Sequence, residues 1–157
     1  MIDAFITVGS VAILWLLVQF IRNHRPSLFT AKVSGALFDL GLQVMKFEPE
    51  LNRIYLKDCT TYFAAQGKNA NPYEMAARFY IKAIMEYSAF AERAAMHDDV
   101  LIHPIKVVRS WQAADKISQV AVEEFTGRIK AFLIEGLEAQ PMDGAMKMAT
   151  KIQILEL

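Results

Sequence analysis

The strongest constraint on this chain is a run of eighteen residues without a charged side chain, from Ala4 to Ile21. As a helix rising about 1.5 Å per residue, the run covers roughly 27 Å, close to the hydrocarbon thickness of a thin bilayer. A helix that is apolar on every side needs lipid around it, or a larger protein than the roughly 130 other residues provide. A cleaved signal peptide would carry positive charge before the run, whereas Asp3 precedes it here. The run therefore predicts a membrane-spanning anchor.

The predicted anchor, residues 1–25, is followed by a basic collar. Arg22, His24, Arg25 and Lys32 come after the apolar run, and only Asp3 and the amino terminus precede it. Because positive residues are retained on the cytoplasmic side, we expect a single-pass protein with its N-terminus outside and its C-terminal domain in the cytoplasm. The side chains expected to face membrane lipid are large and apolar: Phe5, Ile13, Leu14, Trp15, Leu16, Leu17 and Phe20.

Trp15 lies near the middle of the apolar run and not at a membrane interface. Lipid offers its indole N–H no acceptor, and the neighbouring Gly9 and Ser10 form a patch of small residues that allows another helix to approach closely. We expect Gly9, Ser10 and Trp15 to contact a transmembrane helix of another membrane-protein subunit.

Composition excludes several functional classes. The chain carries 17 basic and 17 acidic side chains, so it lacks the one-sided field of a nucleic-acid-binding protein. Its single cysteine excludes an internal disulfide and a Cys-x-x-Cys site. Its seven glycines form no phosphate-binding loop and no dinucleotide fingerprint. No cofactor is expected.

Apolar residues recur at helical spacing through the rest of the chain, which predicts an all-α fold. We expect the transmembrane helix to be followed by a four- or five-helix cytoplasmic bundle over residues 26–138 and by a Met-rich apolar tail over residues 139–157. The clearest start signal is Asn71 before Pro72, with Glu74 three residues after the cap. The helix that it opens is expected to continue to Ala91. Pro104 lies inside or at the start of the next element, so we expect a short turn before it and a helix from about Ile105 to Ile117.

The amphipathic segment after the anchor has two interpretations. Its apolar residues, including Phe29, Val33 and Leu37, recur on one side, and Lys32 and Asp39 fall on the other. The segment either lies on the membrane surface with its basic residues toward the headgroups or covers the core of the bundle.

Potential chemistry is sparse. The densest group of possible metal ligands is His97, Asp98, Asp99 and His103, but its spacing matches no ligand pattern, and capping of a helix explains it better. We therefore expect no metal site and no catalytic residues, with a site near His97 and His103 as the one exception to test. Cys59 is expected to be a small core residue.

Two groups of residues are candidates for contact with a partner. The middle helices are rich in tyrosine, and the tail is rich in methionine; both groups serve either as core or as an adaptable docking surface. The tyrosines also suggest a pocket for a hydrophobic ligand. The candidate contact residues are Tyr73, Tyr80, Tyr87, Met142, Met146 and Met148.

Several short stretches carry a resemblance to known sequences. They are Phe-x-Pro-Glu-Leu at 47–51, the Asp-Asp turn at 98–99, Pro-x-x-Val-Val-Arg-x-Trp at 104–111 and Glu-Phe at 124–125. With the N-terminal anchor, this order of elements resembles the short bacterial single-pass proteins with a helical cytoplasmic domain, a group without an established activity. The resemblance implies architecture and no site residue.

These observations favour a non-enzymatic accessory or scaffolding subunit of a bacterial inner-membrane complex. Its expected partners are membrane lipid and other membrane-protein subunits. The chain could also form homo-oligomers, and we do not expect it to bind nucleic acid. The alternative is a membrane-tethered sensor or effector whose bundle binds a small hydrophobic ligand.

Overall fold

A computed structural model describes residues 15–16, 28–42, 48–95 and 98–157, and every regular element in these ranges is helical. The expectation of an all-α fold is confirmed. The elements are α1 (28–39), α2 (Pro49–Gln66), a 3₁₀ turn (Gly67–Asn69), α3 (Pro72–Glu86), α4 (Ser88–Ala95), α5 (Asp98–Ala113), α6 (Gln119–Glu138) and α7 (Gly144–Glu156).

The helix starts follow local rules. Pro49 and Pro72 occupy the first turns of α2 and α3, where the missing N–H is not needed. Asn71 caps α3 by accepting hydrogen bonds from the backbone N–H groups of Tyr73 and Glu74. Ser118 caps α6 in the same way, by accepting from the N–H of Ala121.

Two helices end in the same tight motif. At the end of α1, Gly41 has φ +76° and the N–H of Leu42 donates to the carbonyl of Leu37 at 3.0 Å. At the end of α5, Asp115 has φ +57° and the N–H of Lys116 donates to the carbonyl of Trp111 at 2.8 Å. Both are Schellman ends, in which one left-handed residue reverses the chain.

The predicted helix from Asn71 to Ala91 is wrong in one respect, since it is two helices. Tyr87 has φ −108° and ψ 95°, outside the helical region, so α3 ends at Glu86 and α4 begins at Ser88. This break adds one helix to the four or five expected over residues 26–138. The hydrophobic stripe continues across the break, so periodicity alone does not reveal it.

The predicted bounds of the next helix, about Ile105 to Ile117, are also wrong. Helix α5 runs from Asp98 to Ala113 with Pro104 inside it. A proline there removes the hydrogen bond to the carbonyl four residues earlier, which belongs to Val100. The hydroxyl of Tyr80 donates to that carbonyl at 2.8 Å, so α3 supplies the bond that α5 lacks.

Helix α3 is central. It contacts α2, α4 and α6, and α5 packs against α4 and α6. Its interior-facing side chains include Phe79 and Tyr80, each in edge-on or tilted ring contacts with neighbouring helices. The large side chains with almost no exposed surface form one core: Leu37, Leu40, Leu51, Tyr55, Phe79, Tyr80, Ile84, Leu101, Ile105, Phe125 and Ile129.

Helix α1 belongs to this core, which decides between its two interpretations. Phe29, Val33 and Leu37 are buried. The hydroxyl of Tyr55 on α2 donates to the carbonyl of Thr30 at 2.8 Å and lies 2.7 Å from the hydroxyl of Ser34. The apolar side of α1 therefore covers the bundle, and its polar side carries Lys32 into solvent.

Within the described ranges, no helix is both long enough and apolar enough to cross a membrane. Of the expected anchor, Trp15 and Leu16 are described; both are helical and more than half exposed. The remaining anchor and collar residues named from the sequence lie outside the described residues: Phe5, Gly9, Ser10, Ile13, Leu14, Leu17, Phe20, Arg22, His24 and Arg25.

Candidate partner-docking surface

The Met-rich tail folds as helix α7 and packs against α6 as a helical hairpin. Asp143 caps it by accepting a hydrogen bond from the N–H of Ala145 at 3.0 Å. Ile154 is its one buried residue, and Leu157 packs partly against the core. The sequence signals for this helix are the Asp143 cap and the helical spacing of the apolar residues that follow.

Lysine side chains provide the polar contacts between α7 and α6. Lys147 Nζ donates to the carbonyl of Glu138 at 2.9 Å, and Lys151 Nζ lies 3.3 Å from the Glu138 carboxylate. From α6, Lys130 Nζ donates to the carbonyl of Leu155 at 2.7 Å. The last carbonyls of both helices thus receive bonds from ammonium groups, which also suit the negative end of a helix dipole.

The opposite side of α7 is apolar and exposed. Met148, Ile152 and Leu155 are 61%, 50% and 55% exposed. Their spacing of four and three residues places them in one stripe along the helix. Met146 is 62% exposed on the other flank of the same side, and Met142, in the loop before α7, is half-buried. We call Met148, Ile152 and Leu155 the α7 stripe.

The α7 stripe is unusual because α7 buries one apolar residue, Ile154, and leaves three large apolar residues exposed. A surface helix normally turns its apolar side to the core and its charged side to water. In α7, Lys147 and Lys151 instead bond to Glu138 at the exposed edge of the α6–α7 hairpin, and the stripe stays in solvent. A contiguous exposed apolar strip of this kind is typical of a contact surface.

The three tyrosines predicted to contact a partner differ in their burial and in their neighbours. Tyr80 is buried at 1% exposure, so its ring is not presented to a partner, and the prediction is corrected for this residue. Tyr73 is half-buried against Trp111, with a ring-centroid distance of 5.0 Å. Tyr87 is half-buried, and its hydroxyl donates to the Glu48 carboxylate at 3.3 Å. The three therefore do not form one surface, and Tyr73 and Tyr87, which keep some exposed area, remain candidate contact residues.

The aromatic interior is closed by ring-to-ring contacts. Tyr55 meets Phe79 edge-on at 5.3 Å, and Tyr80 meets Phe90 edge-on at 5.8 Å. Burial raises the pKa of the Tyr55 and Tyr80 hydroxyls above the ordinary range, so both stay protonated hydrogen-bond donors. These rings stabilise the core by contact.

Among the residues that the structure describes, the candidate metal ligands do not come together. His103 is exposed on α5, His97 lies outside the described residues, and the described part of the chain holds no group of three or more possible metal ligands. Cys59 is a core residue, as predicted. Burial raises the pKa of its thiol to about 11, with a smaller contribution from the neighbouring Asp58.

No protein-family model, curated protein or solved structure matches this chain.

Proposed function

We propose that this chain is a non-enzymatic, membrane-anchored accessory or scaffolding subunit of a bacterial inner-membrane protein complex. Its N-terminal apolar run holds it in the bilayer with the bundle in the cytoplasm. The α7 stripe docks on an apolar surface of another membrane-protein subunit. Gly9, Ser10 and Trp15 provide a second contact within the membrane.

The anchor is supported by the length and flanks of the apolar run. Its eighteen uncharged residues suit a bilayer, and the positive residues that follow orient it. With the anchor in the membrane, the bundle diffuses in two dimensions beside other membrane proteins. This arrangement raises the effective concentration of a weak cytoplasmic contact.

The observation that carries the docking proposal is the exposure of the α7 stripe. The helix exposes Met148, Ile152 and Leu155 while its lysines hold it to α6. Leaving three large apolar side chains in water forgoes about 25 cal/mol for each Å² that a partner would cover. Methionine adapts its shape to a partner surface, which suits a subunit that must fit a preformed complex.

The test is co-purification from native membranes. The full chain is given an N-terminal tag, because Leu157 packs against the bundle and a C-terminal tag would disturb α7. Membranes are solubilised in a mild nonionic detergent, and the mass and stoichiometry of the captured particle are measured. We expect a particle larger than one chain that contains at least one integral membrane protein in fixed ratio.

Paired substitutions connect that particle to α7. The double variant Met148→Asp/Ile152→Asp is expected to release the partner, since it puts two charges into the contact. The matched control is Leu56→Asp/Met85→Asp, which changes two exposed apolar residues of α2 and α3 in the same way. A monomer from the unmodified chain, or equal loss of the partner in both variants, would contradict the proposal. A particle built only from copies of this chain would replace it with homo-oligomerisation.

The alternative of a sensor that binds a hydrophobic ligand between the aromatic helices has less support. The rings that would line such a pocket contact one another directly. A ligand would therefore have to displace core side chains.

A further inference from the structure

One end of the bundle has a groove of mixed apolar and basic character. It lies between the start of the described part of α1 and the 3₁₀ turn after α2, and it has a volume of about 450 Å³. Its walls include Leu28, Phe29 and Phe63, and it is also lined by Lys32 from α1 and by Lys68 from the 3₁₀ turn. Among the described residues that line it there is no carboxylate.

A third lysine lies at the same end. Asn71, next to Ala70 in the groove wall, donates from Nδ2 to the carbonyl of Lys116 at 2.8 Å. The Lys116 ammonium lies 4.9 Å from the ring centroid of Tyr73. The backbone of Lys116 therefore lies beside the groove wall, and acidic residues are adjacent along the chain, Asp115 next to Lys116 and Glu74 next to Tyr73.

The apolar part of the groove is open to solvent. Leu28 is 66% exposed, directly beside the two lysines, and Phe29 beneath it is buried against Tyr62 and Phe63. A groove that offers both ammonium groups and exposed hydrocarbon matches an amphiphile with an anionic head. A simple anion would use only the lysines.

The course of the chain indicates where that amphiphile comes from. The apolar run ends at Ile21, seven residues before Leu28. At about 3.3–3.6 Å per residue, this connection spans at most about 25 Å, so the groove lies near the surface of the membrane that holds the anchor. Arg22 and Arg25 in the connection add positive charge on the same path.

We propose that this groove binds an anionic phospholipid of the anchoring membrane. Lys32 and Lys68 contact the phosphate, and Leu28 and Phe63 contact the upper acyl chain. Bound lipid would hold this end of the bundle against the bilayer and leave α7 free for a partner. The inference rests on the anchor of the proposed function, because only an anchored chain presents the groove to lipid at all times.

The test uses the full chain purified in a nonionic detergent, with dioleoyl phosphatidylglycerol as the probe. Thermal unfolding is followed by circular dichroism at 222 nm with and without the lipid. A ligand that binds only the folded chain at about 100 times its Kd raises Tm by roughly 5–10 °C for a protein of this size. Dioleoyl phosphatidylcholine at the same concentration is expected to raise Tm by less than half as much.

Variants assign the effect to the groove. Lys32→Gln/Lys68→Gln is expected to lose most of the shift. The matched control Lys57→Gln/Lys106→Gln removes the same charge from exposed positions elsewhere and is expected to keep it. The lipid-free Tm of each variant shows whether it folds. In 0.5 M NaCl the shift should shrink, because salt screens the ammonium–phosphate contacts.

Other outcomes overturn the inference. Equal Tm shifts in the two double variants would show that the lipid does not bind in the groove. An equal Tm shift with phosphatidylcholine would show that the lipid need not be anionic. A matching shift with 10 mM glycerol phosphate would assign the site to a free phosphate ester.

A separate measurement distinguishes failure of this inference from failure of the anchor. Washing native membranes in alkaline carbonate leaves a membrane-spanning chain in the pellet. If the chain stays in the pellet but its Tm does not change with lipid, the anchor is supported and lipid binding in the groove is contradicted. A chain that is washed out but shows the shift binds lipid from outside the bilayer, and the proposed function falls.

Discussion

Tyr80 on α3 donates its hydroxyl proton to the one carbonyl that Pro104 leaves without a partner inside α5, that of Val100. Proline lacks the N–H that would reach this carbonyl, and an unpaired carbonyl in a part-buried position is destabilising. The hydrogen bond that compensates for Pro104 therefore joins two residues 20 positions apart in sequence. This relationship explains both the complete burial of a tyrosine and the presence of a proline inside a helix.

The Tyr80 bond can be tested with a double-mutant cycle. Tyr80→Phe should lower the free energy of unfolding by about 1–2 kcal/mol, because it leaves the Val100 carbonyl unpaired. In a Pro104→Ala background the new N–H of residue 104 can reach that carbonyl, so Tyr80→Phe should have at most half that effect. Urea unfolding of the full chain in detergent gives both values. Effects that add within about 0.3 kcal/mol would show that the two residues are not coupled.

Asn71 should contribute more than an ordinary helix cap. It accepts from two N–H groups of α3 and also donates to the carbonyl of Lys116 after α5. Asn71→Ala should therefore lower the free energy of unfolding by about 1.5–2.5 kcal/mol, against about 1 kcal/mol for Ser118→Ala, which removes a cap alone.

Asn71→Asp separates the two functions of this residue. The carboxylate keeps the cap and loses the donor, so this variant should lie between the unmodified chain and Asn71→Ala in urea unfolding. If Asn71→Asp were as unstable as Asn71→Ala, the cap would contribute nothing here.

At the two Schellman ends we expect one substitution to raise the free energy of unfolding and another to lower it. Asp115 has a left-handed backbone that glycine adopts without steric penalty, so Asp115→Gly should raise the free energy of unfolding by about 0.5–1 kcal/mol. Gly41→Ala puts a Cβ on the same conformation and should lower it by about 1 kcal/mol, although no atom lies within 4 Å of that Cβ. Tm shifts measured side by side check both. Shifts of the same sign would refute the conformational explanation.

The Cys59 thiol should be inert in the folded chain. With its pKa raised from 9.0 to about 11, its thiolate fraction at pH 8 is about 100-fold lower than that of an exposed thiol. Alkylation by iodoacetamide should be at least that much slower than in urea-unfolded chain. Rapid labelling of the folded chain would show that Cys59 is accessible.

The same pKa predicts a loss of stability at alkaline pH. Between about pH 9 and pH 11 the folded state keeps a proton that the unfolded state has released, so the stability contributed by this thiol falls as the pH rises. Replacing Cys59 by alanine should flatten that part of the pH–stability curve, whatever its effect at pH 7. An unchanged slope in the alanine variant would assign the alkaline loss to other groups.

Helix α7 should be dispensable for folding of the bundle. It contacts mainly α6, and its buried Ile154 is not part of the main core cluster. A chain that stops after Gln140 should unfold cooperatively, with a free energy of unfolding lower by less than about 3 kcal/mol. It should also lose the partner that the unmodified chain retains. A non-cooperative transition would show that α7 completes the core.

Local signals in the sequence account for the features that depend on a few neighbouring residues. The Asn71 cap with Pro72 and the amphipathic side of α1 were predicted because backbone capping and 3.6-residue periodicity are short-range effects. The break at Tyr87 and the start of α5 at Asp98, before Pro104, were not. The Val100 carbonyl that Pro104 leaves without an N–H is paired by Tyr80, a residue distant in sequence.

The candidate site shows the same division. The sequence predicts an apolar tail near Met146 and Met148 as a contact surface, and these residues are exposed. It does not predict that Ile152 and Leu155 point outward while Lys147 points inward. That choice depends on the carbonyl of Glu138 at the end of another helix.

The helical class, most helix starts and the apolar run can be predicted from the sequence, because these depend on local propensity and on side-chain polarity. Which tyrosines are buried, how α5 accommodates a proline and which side of α7 is exposed become visible only when the helices are packed together. A helix presents its side chains around its whole circumference. Which side is covered is therefore decided by the groups that neighbouring helices bring to it, at sequence separations that periodicity does not encode.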